Sequence, residues 1–232
     1  MKKRNDQNVI VKRAVLVFIL MFLVLLAALA FFTRSIVMRE QLKASYTAEA
    51  TVANVEAQLN RYLAESELLK SIVESGYEIS DSDFAALSKL MYDEDGIIKA
   101  VELAPNGVVR SVYPKAGNAD VLGLNMLRHP ERKVEANLAK ESGQYTIAGP
   151  FQLVQGGTGA LLFDPIYTTG ADGSQKYWGF SVLVLDWESF LDEIQINKLQ
   201  DASYEYLIWK EGHNGERIVI AQGDRPVGPN TL

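Results

Sequence analysis

The chain has 232 residues, 48% of them hydrophobic, a net charge of −6 and no cysteine. That length and apolar content bury a core without staples, and allow one ordinary domain or two small linked ones. The missing cysteine excludes a disulfide framework, a thiolate metal site and a cysteine nucleophile, and the acidic balance argues against a nucleic-acid partner or a domain that hugs anionic lipid.

The first element is an apolar run, Ala14 to Phe32, without charge, Pro or Gly. At about 1.5 Å per residue it matches a bilayer core of ~30 Å. Lys2, Lys3, Arg4, Lys12 and Arg13 precede it against Asp6 alone, a bias that puts the N-terminus in the cytoplasm. Ala28-Leu29-Ala30 has the small-x-small form of a signal-peptide cleavage site, but the run exceeds a signal core and Phe31-Phe32 continues it. The expectation is an uncleaved anchor over 14–32 behind a cytoplasmic segment 1–13. The alternative is an ectodomain released from a cleaved precursor. Either way, everything after Thr33 lies outside the cytoplasm, in periplasm or extracellular space, on the plasma membrane (the inner membrane of a Gram-negative cell).

From Ser35 to Glu74 the composition is helical, with no Pro or Gly before Gly76. Val52, Val55, Leu59, Tyr62, Ser66, Leu69 and Val73 recur three and four apart. This seam either pairs with a second copy as a stalk over 33–75 or packs on its own domain. Gly76 is the expected stop.

Beyond it the pattern mixes α and β. A short helix runs from Asp81 to Met91, capped by Ser80 or Asp81. Ile97–Ala104 and Val108–Tyr113 read as strands around the turn Pro105-Asn106-Gly107. Pro130 opens a helix over Glu131–Lys140 that Gly143 ends. Gly149-Pro150 breaks the chain before a hairpin: strand Phe151–Gln155, turn Gly156-Gly157-Thr158-Gly159, and the apolar return Ala160–Phe163, with Pro165 limiting further pairing. Taken alone, this is an ordinary core hairpin or one wall of a small pocket. Tyr177–Leu185 is a third apolar strand, with Trp178, Phe180, Val182 and Val184 on one face. Asp186 starts a helix to about Leu199, and Tyr204–Lys210 pairs with Arg217–Ala221 across Glu211–Glu216.

Little here supports catalysis. His129 flanks a helix start, His213 lies in a turn beside Asn214-Gly215, and neither has a second histidine at metal-ligand spacing. No GxSxG elbow is present, the glycine turn lacks a P-loop lysine, and Asp186 with Glu188 reads as capping. The expectation is no enzyme, no metal and no cofactor.

The segments VYPKAGNADVLGLNML, SGQYTIAGPFQLVQGGTGALLFDPIY and YWGFSVLVLDWESFL resemble a CHASE domain, the extracytoplasmic sensory domain found before histidine kinases and nucleotide cyclases. The resemblance covers roughly 35–232. It implies an α+β fold: a transmembrane helix running into a long stalk helix, then tandem PAS-like mixed α/β subdomains. The membrane-distal, ligand-holding one falls at 76–185, and the start of an incomplete membrane-proximal one at 186–232. It also implies a homodimer through the stalk, a second membrane span, and a cytoplasmic histidine kinase or diguanylate cyclase module outside this chain.

In the family's plant cytokinin receptors an aspartate contacts the adenine-type ligand. The matching position here is Asn125, an amide without charge. A ligand-contacting threonine of the return strand corresponds to Phe163. The two changes argue against cytokinin itself. The implied pocket is Asn125 with Phe151, Leu153, Phe163 and Ser181, suited to a small, partly planar molecule. Core packing is the competing account of each. The competing function is a membrane-anchored ectodomain that binds a protein partner and no small molecule.

Overall fold

The computed structural model describes residues 2–92, 96–154, 156–170, 172–196, 198–199, 204–211 and 217–223. The chain forms two compact units, Met1–Ala50 and Thr51–Leu232. Helix α1 (Lys2–Glu74) contributes to both, as an unbroken stretch without Pro or Gly permits. In the first unit none of its apolar side chains from Val15 to Phe32 is buried. This is a helix long and apolar enough to cross a membrane. At the far end the Gly76 N–H donates to the Val73 carbonyl at 2.9 Å. Gly76 takes φ +82°, the left-handed stop that glycine supplies without strain.

The second unit is built on a five-stranded antiparallel sheet: β1 (Ile98–Pro105), β2 (Ser111–Tyr113), β3 (Thr146–Gln152), β4 (Thr158–Thr169) and β5 (Gln175–Asp186). Their spatial order is β2-β1-β5-β4-β3. Helix α2 (Asp81–Met91) is capped by Ser80, whose Oγ accepts from the Asp83 N–H at 3.2 Å. Helix α3 (Lys133–Ser142) ends at Gly143, φ +71°. Helix α4 (Trp187–Glu193) starts at Asp186, and β6 (Leu207–Glu211) pairs with β7 (Arg217–Gln222) in a separate two-stranded sheet. The fold is the expected α+β arrangement, a long N-terminal apolar helix followed by an antiparallel sheet domain.

Because side chains alternate across a strand, the sheet makes two cores. On one side Val101, Leu103, Leu162, Ile166, Leu183 and Leu185 pack with α1, α2 and α4. On the other, Ala100, Ala104, Leu161, Phe163, Phe180, Val182 and Val184 pack with Met126 and the alanines Ala136 and Ala139 of α3. The α1 seam belongs to the first core. Leu59, Tyr62, Ser66, Leu69 and Val73 are all buried, whereas Val52 is 57% exposed. Burial of each such apolar side chain contributes roughly 1.5–3 kcal/mol, so this part of the stripe is committed to its own sheet. Polar contacts add to the hold. Lys70 Nζ meets Asp164 Oδ1 at 2.9 Å and Ser66 Oγ donates to Asp164 Oδ2 at 3.1 Å. Arg61 Nη2 meets Glu193 Oε1 at 2.5 Å, and Asn54 Nδ2 donates to the Ile194 carbonyl at 2.9 Å.

Several expected boundaries move. β3 begins at Thr146, so Gly149-Pro150 lies inside the strand, at a register shift between Ala148 and Phe151, and does not precede it. Thr158 and Gly159 belong to β4, and only Gly156 and Gly157 of the turn take positive φ. Pro165 does not end β4; it stands opposite Phe180, beyond Phe163, where β3 no longer flanks the strand, as an edge position allows. The helix after Asp186 stops at Glu193 because Gln195 turns to φ +58°. Of Val108–Tyr113 only Ser111–Tyr113 pairs with β1, while Val108 bridges Asn125. Trp178 leaves the face of Phe180. The register slips between the Ile166–Gly179 and Tyr167–Tyr177 pairs, and this bulge carries Trp178 to the α1-side core. Gln155, His213, the turn over 212–216 and the tail from 224 lie outside the described residues.

Candidate functional site

The α3 side of the sheet carries most of the chemistry. Phe163 is fully buried and its ring lies 5.3 Å from Phe180, which in turn lies 5.3 Å from Tyr177. Phe163 and Glu102 stand opposite Val182 from either side, on β4 and β1, so all three share this face. Leu153 is buried in the same cluster and Phe151 packs against it from β3.

Asn125 comes from the connection between β2 and α3, where Leu124 and Met126 pack into this cluster. That connection is tied back to the β1 turn. The Val109 N–H donates to the Leu124 carbonyl at 3.0 Å and the Met126 N–H to the Gly107 carbonyl at 2.8 Å. Asn125 Oδ1 is buried with no hydrogen-bond partner.

Ser181 is elsewhere. It stands opposite Leu103 and Asp164 on the α1 side of β5, its Oγ buried and unpartnered. Of the five expected residues, Phe151, Leu153 and Phe163 belong to the α3-side cluster, Asn125 sits in the connection beside it, and Ser181 lies on the other face, because one step along a strand changes faces.

Two residues join the site that sequence reasoning missed. Glu102 is 1% exposed and Arg132 2% exposed. Burial pushes the Glu102 carboxyl up to about 7, against the opposing pull of the Arg132 charge. Burial likewise lowers Arg132, with Glu102 countering it. Each feels the other, yet no ion pair joins them among the described residues. Glu102 Oε2 and Arg132 Nε have no hydrogen-bond partner, nor has the Tyr177 hydroxyl, whose pKa burial raises. Arg132 is held by an Nη1 contact to Met126 Sδ at 3.7 Å and by its guanidinium over the Phe151 ring, 5.4 Å from the centroid.

The signal for Glu102 was available: it is the one acid in Ile98–Pro105, two residues from Ala100 and Ala104 on the same face. Arg132 gave none, sitting at a helix start where charged residues are ordinary.

Two open clefts lie on other parts of the unit. One, of about 450 Å³, runs between the end of α1 and Arg110 and Trp178; the other, of about 480 Å³, lies between Lys70 and Glu141. None of the stranded buried atoms lines either. His129 Nδ1 accepts from the Glu131 N–H at 3.3 Å, which occupies it in the turn before α3.

The CHASE domain model matches residues 44–220. No curated protein matches the chain. Among solved structures it is similar to an extracellular ligand binding receptor from Desulfohalobium retbaense DSM5692. The two share 17% identity and a TM-score of 0.50, over 75% of this chain and 30% of that one. At that identity the likeness speaks for the fold, and the chain spans only about a third of the receptor's length. CHASE domains are extracytoplasmic, sensory and non-catalytic. With a match over most of its length and an antiparallel sheet behind a candidate membrane helix, this chain belongs to the CHASE domain family.

Proposed function

We propose that this sensory ectodomain binds a small molecule on the α3 side of its sheet and passes the signal through α1 to a cytoplasmic output module. The observation that carries the reading is the set of buried polar atoms without partners on that side, Glu102 Oε2, Arg132 Nε and the Tyr177 hydroxyl, with Asn125 Oδ1 in the adjoining connection. Each stranded group costs about 1–3 kcal/mol, more where it is charged, and a ligand that satisfies several at once recovers that cost. Asn125 is its polar anchor, with Phe151, Leu153 and Phe163 as the apolar wall; Ser181 drops out of the set.

The strand order β2-β1-β5-β4-β3 supports a PAS-like distal subdomain over 76–185, with 186–232 opening the proximal one. The N-terminus is cytoplasmic, the anchor spans 14–32, and 33–75 is the stalk. A homodimer forms through the parts of α1 that the sheet leaves uncovered, where Val52 and Leu68 stay exposed. The signal requires the ligand to bind one of two states more tightly.

The test is a thermal-shift screen of the full chain in nanodiscs against purines, small aromatics, amino acids and short peptides. A ligand at ~100 times its Kd stabilises by about 2.7 kcal/mol, and Asn125→Leu and Phe163→Ala are expected to abolish the shift. A folded protein without hits gives way to the second reading, a protein-interaction ectodomain. Val134 and Leu138 favour that reading, being 41% and 55% exposed one turn apart on α3.

A further inference from the structure

We infer that Glu102 and Arg132 form a two-ended polar subsite for a small zwitterion with an apolar body, the chemistry of a free apolar or aromatic α-amino acid. The ammonium would meet Glu102 and Asn125 Oδ1, and the carboxylate Arg132. The inference rests on the reading that the α3 side of the sheet receives a small molecule.

Opposite charges taken out of water lose several kcal/mol each, and only close, well-hydrogen-bonded pairing offsets the loss. Glu102 and Arg132 are 1% and 2% exposed, yet they do not pair, and each keeps an unspent atom: an acceptor at Glu102 Oε2 and a donor at Arg132 Nε. Packing keeps them apart. Glu102 is fixed in the β1 ladder opposite Val182. Arg132 is drawn toward Met126 and the face of Phe151. A group that bridges them needs a donor at one end and an acceptor at the other.

Charge balance narrows the class. A bound ammonium favours the ionised Glu102 carboxylate, so the occupied layer holds one acid and one base, and a ligand with net charge would leave one buried charge uncompensated. A zwitterion leaves the balance unchanged and gives each protein charge an ionic hydrogen bond, about twice as strong as a neutral one. Arg132 offers the planar fork that matches a carboxylate. Asn125 Oδ1, a second unpartnered acceptor, has the polarity an ammonium's three donors need. The remaining surroundings are apolar and aromatic: Phe151, Phe163, Phe180 and Met126. That lining selects the ligand's body.

The probes are L-leucine and L-phenylalanine, each beside its N-acetyl and methyl-ester derivatives, titrated calorimetrically against the full chain in nanodiscs. Capping removes one charge at a time and needs no variant, so the test survives a substitution that fails to fold. The expected result is binding of at least one free amino acid, with each cap weakening it about tenfold or more. In Glu102→Gln the penalty for N-acetylation shrinks while that for esterification persists, and Arg132→Gln shows the reverse.

Binding indifferent to capping overturns the inference. So does the failure of both free amino acids to bind at about 10 mM. If the screen then yields another small molecule that Asn125→Leu abolishes, the broader ligand-binding reading stands and only the zwitterion is lost. If no small molecule binds, both fall.

Discussion

Glu102 is stored by the fold with its proton nearly in place. The unfolded chain releases that proton near 4.5 and the folded state only near 7, because burial disfavours the carboxylate. Between those values the native state holds a proton that the unfolded state has lost, so Glu102 makes stability fall as pH rises. Its contribution is complete below about 4.5 and is lost as pH climbs through about 7. We expect wild type minus Glu102→Gln to slope downward by up to about 3 kcal/mol across that window, read from urea unfolding at several pH values. A flat difference would mean that the carboxylate is solvated. The residue stands out in the sequence as a lone acid in an apolar strand. Its partner Arg132 does not, since a charge after Pro130 looks like a helix start facing water; only the fold reveals that it is buried.

At the scale of elements, the glycine hairpin is where local sequence was most legible and where its limits show. Gly156 and Gly157 make the turn with φ of +93° and +78°, as their missing side chains allow. Gly159 serves another purpose. A Cβ there would meet the Leu185 carbonyl oxygen at 2.7 Å and Leu153 Cδ1 at 2.5 Å. Leu153 can move; the β5 backbone cannot without opening the ladder. Gly159→Ala is therefore expected to destabilise by about 1–3 kcal/mol, measured as a lower urea midpoint, whereas Gly173→Ala meets no neighbouring atom and suffers only from its positive φ. Period-2 alternation put Phe180, Val182 and Val184 on one face, and they pack in one core. It failed for Trp178 because a bulge adds a residue without a sequence mark; Ser181, assigned to the pocket through the resemblance, lies on the face that alternation from Phe180 and Val182 gives it.

For the whole molecule, the long helix, the antiparallel sheet and the family could be read from the sequence. The destination of the α1 stripe could not: heptad spacing looks the same whether the partner is a second helix or a sheet. The stripe from Leu59 to Val73 is spent within its own chain. Because the chain contains no cysteine, single substitutions test the proposed dimer cleanly. Val52→Cys is expected to yield an intermolecular disulfide under mild oxidation in nanodiscs, and Leu69→Cys, buried under the sheet, is not. Equal cross-linking of both would mean that α1 leaves the sheet in the assembled receptor.

The sheet itself is a partition one residue thick. Phe163 faces the aromatic layer over which α3 sits, and Asp164, the next residue, grips Ser66 and Lys70 of α1. Their Cα atoms are joined by a single peptide unit of about 3.8 Å that does not stretch. A sideways push on the ring of Phe163 that moves the β4 backbone must therefore drag the carboxylate of Asp164 with it. Any displacement of β4 is thus felt in both cores at once, with no relay of intermediate side chains, because one wall serves them both.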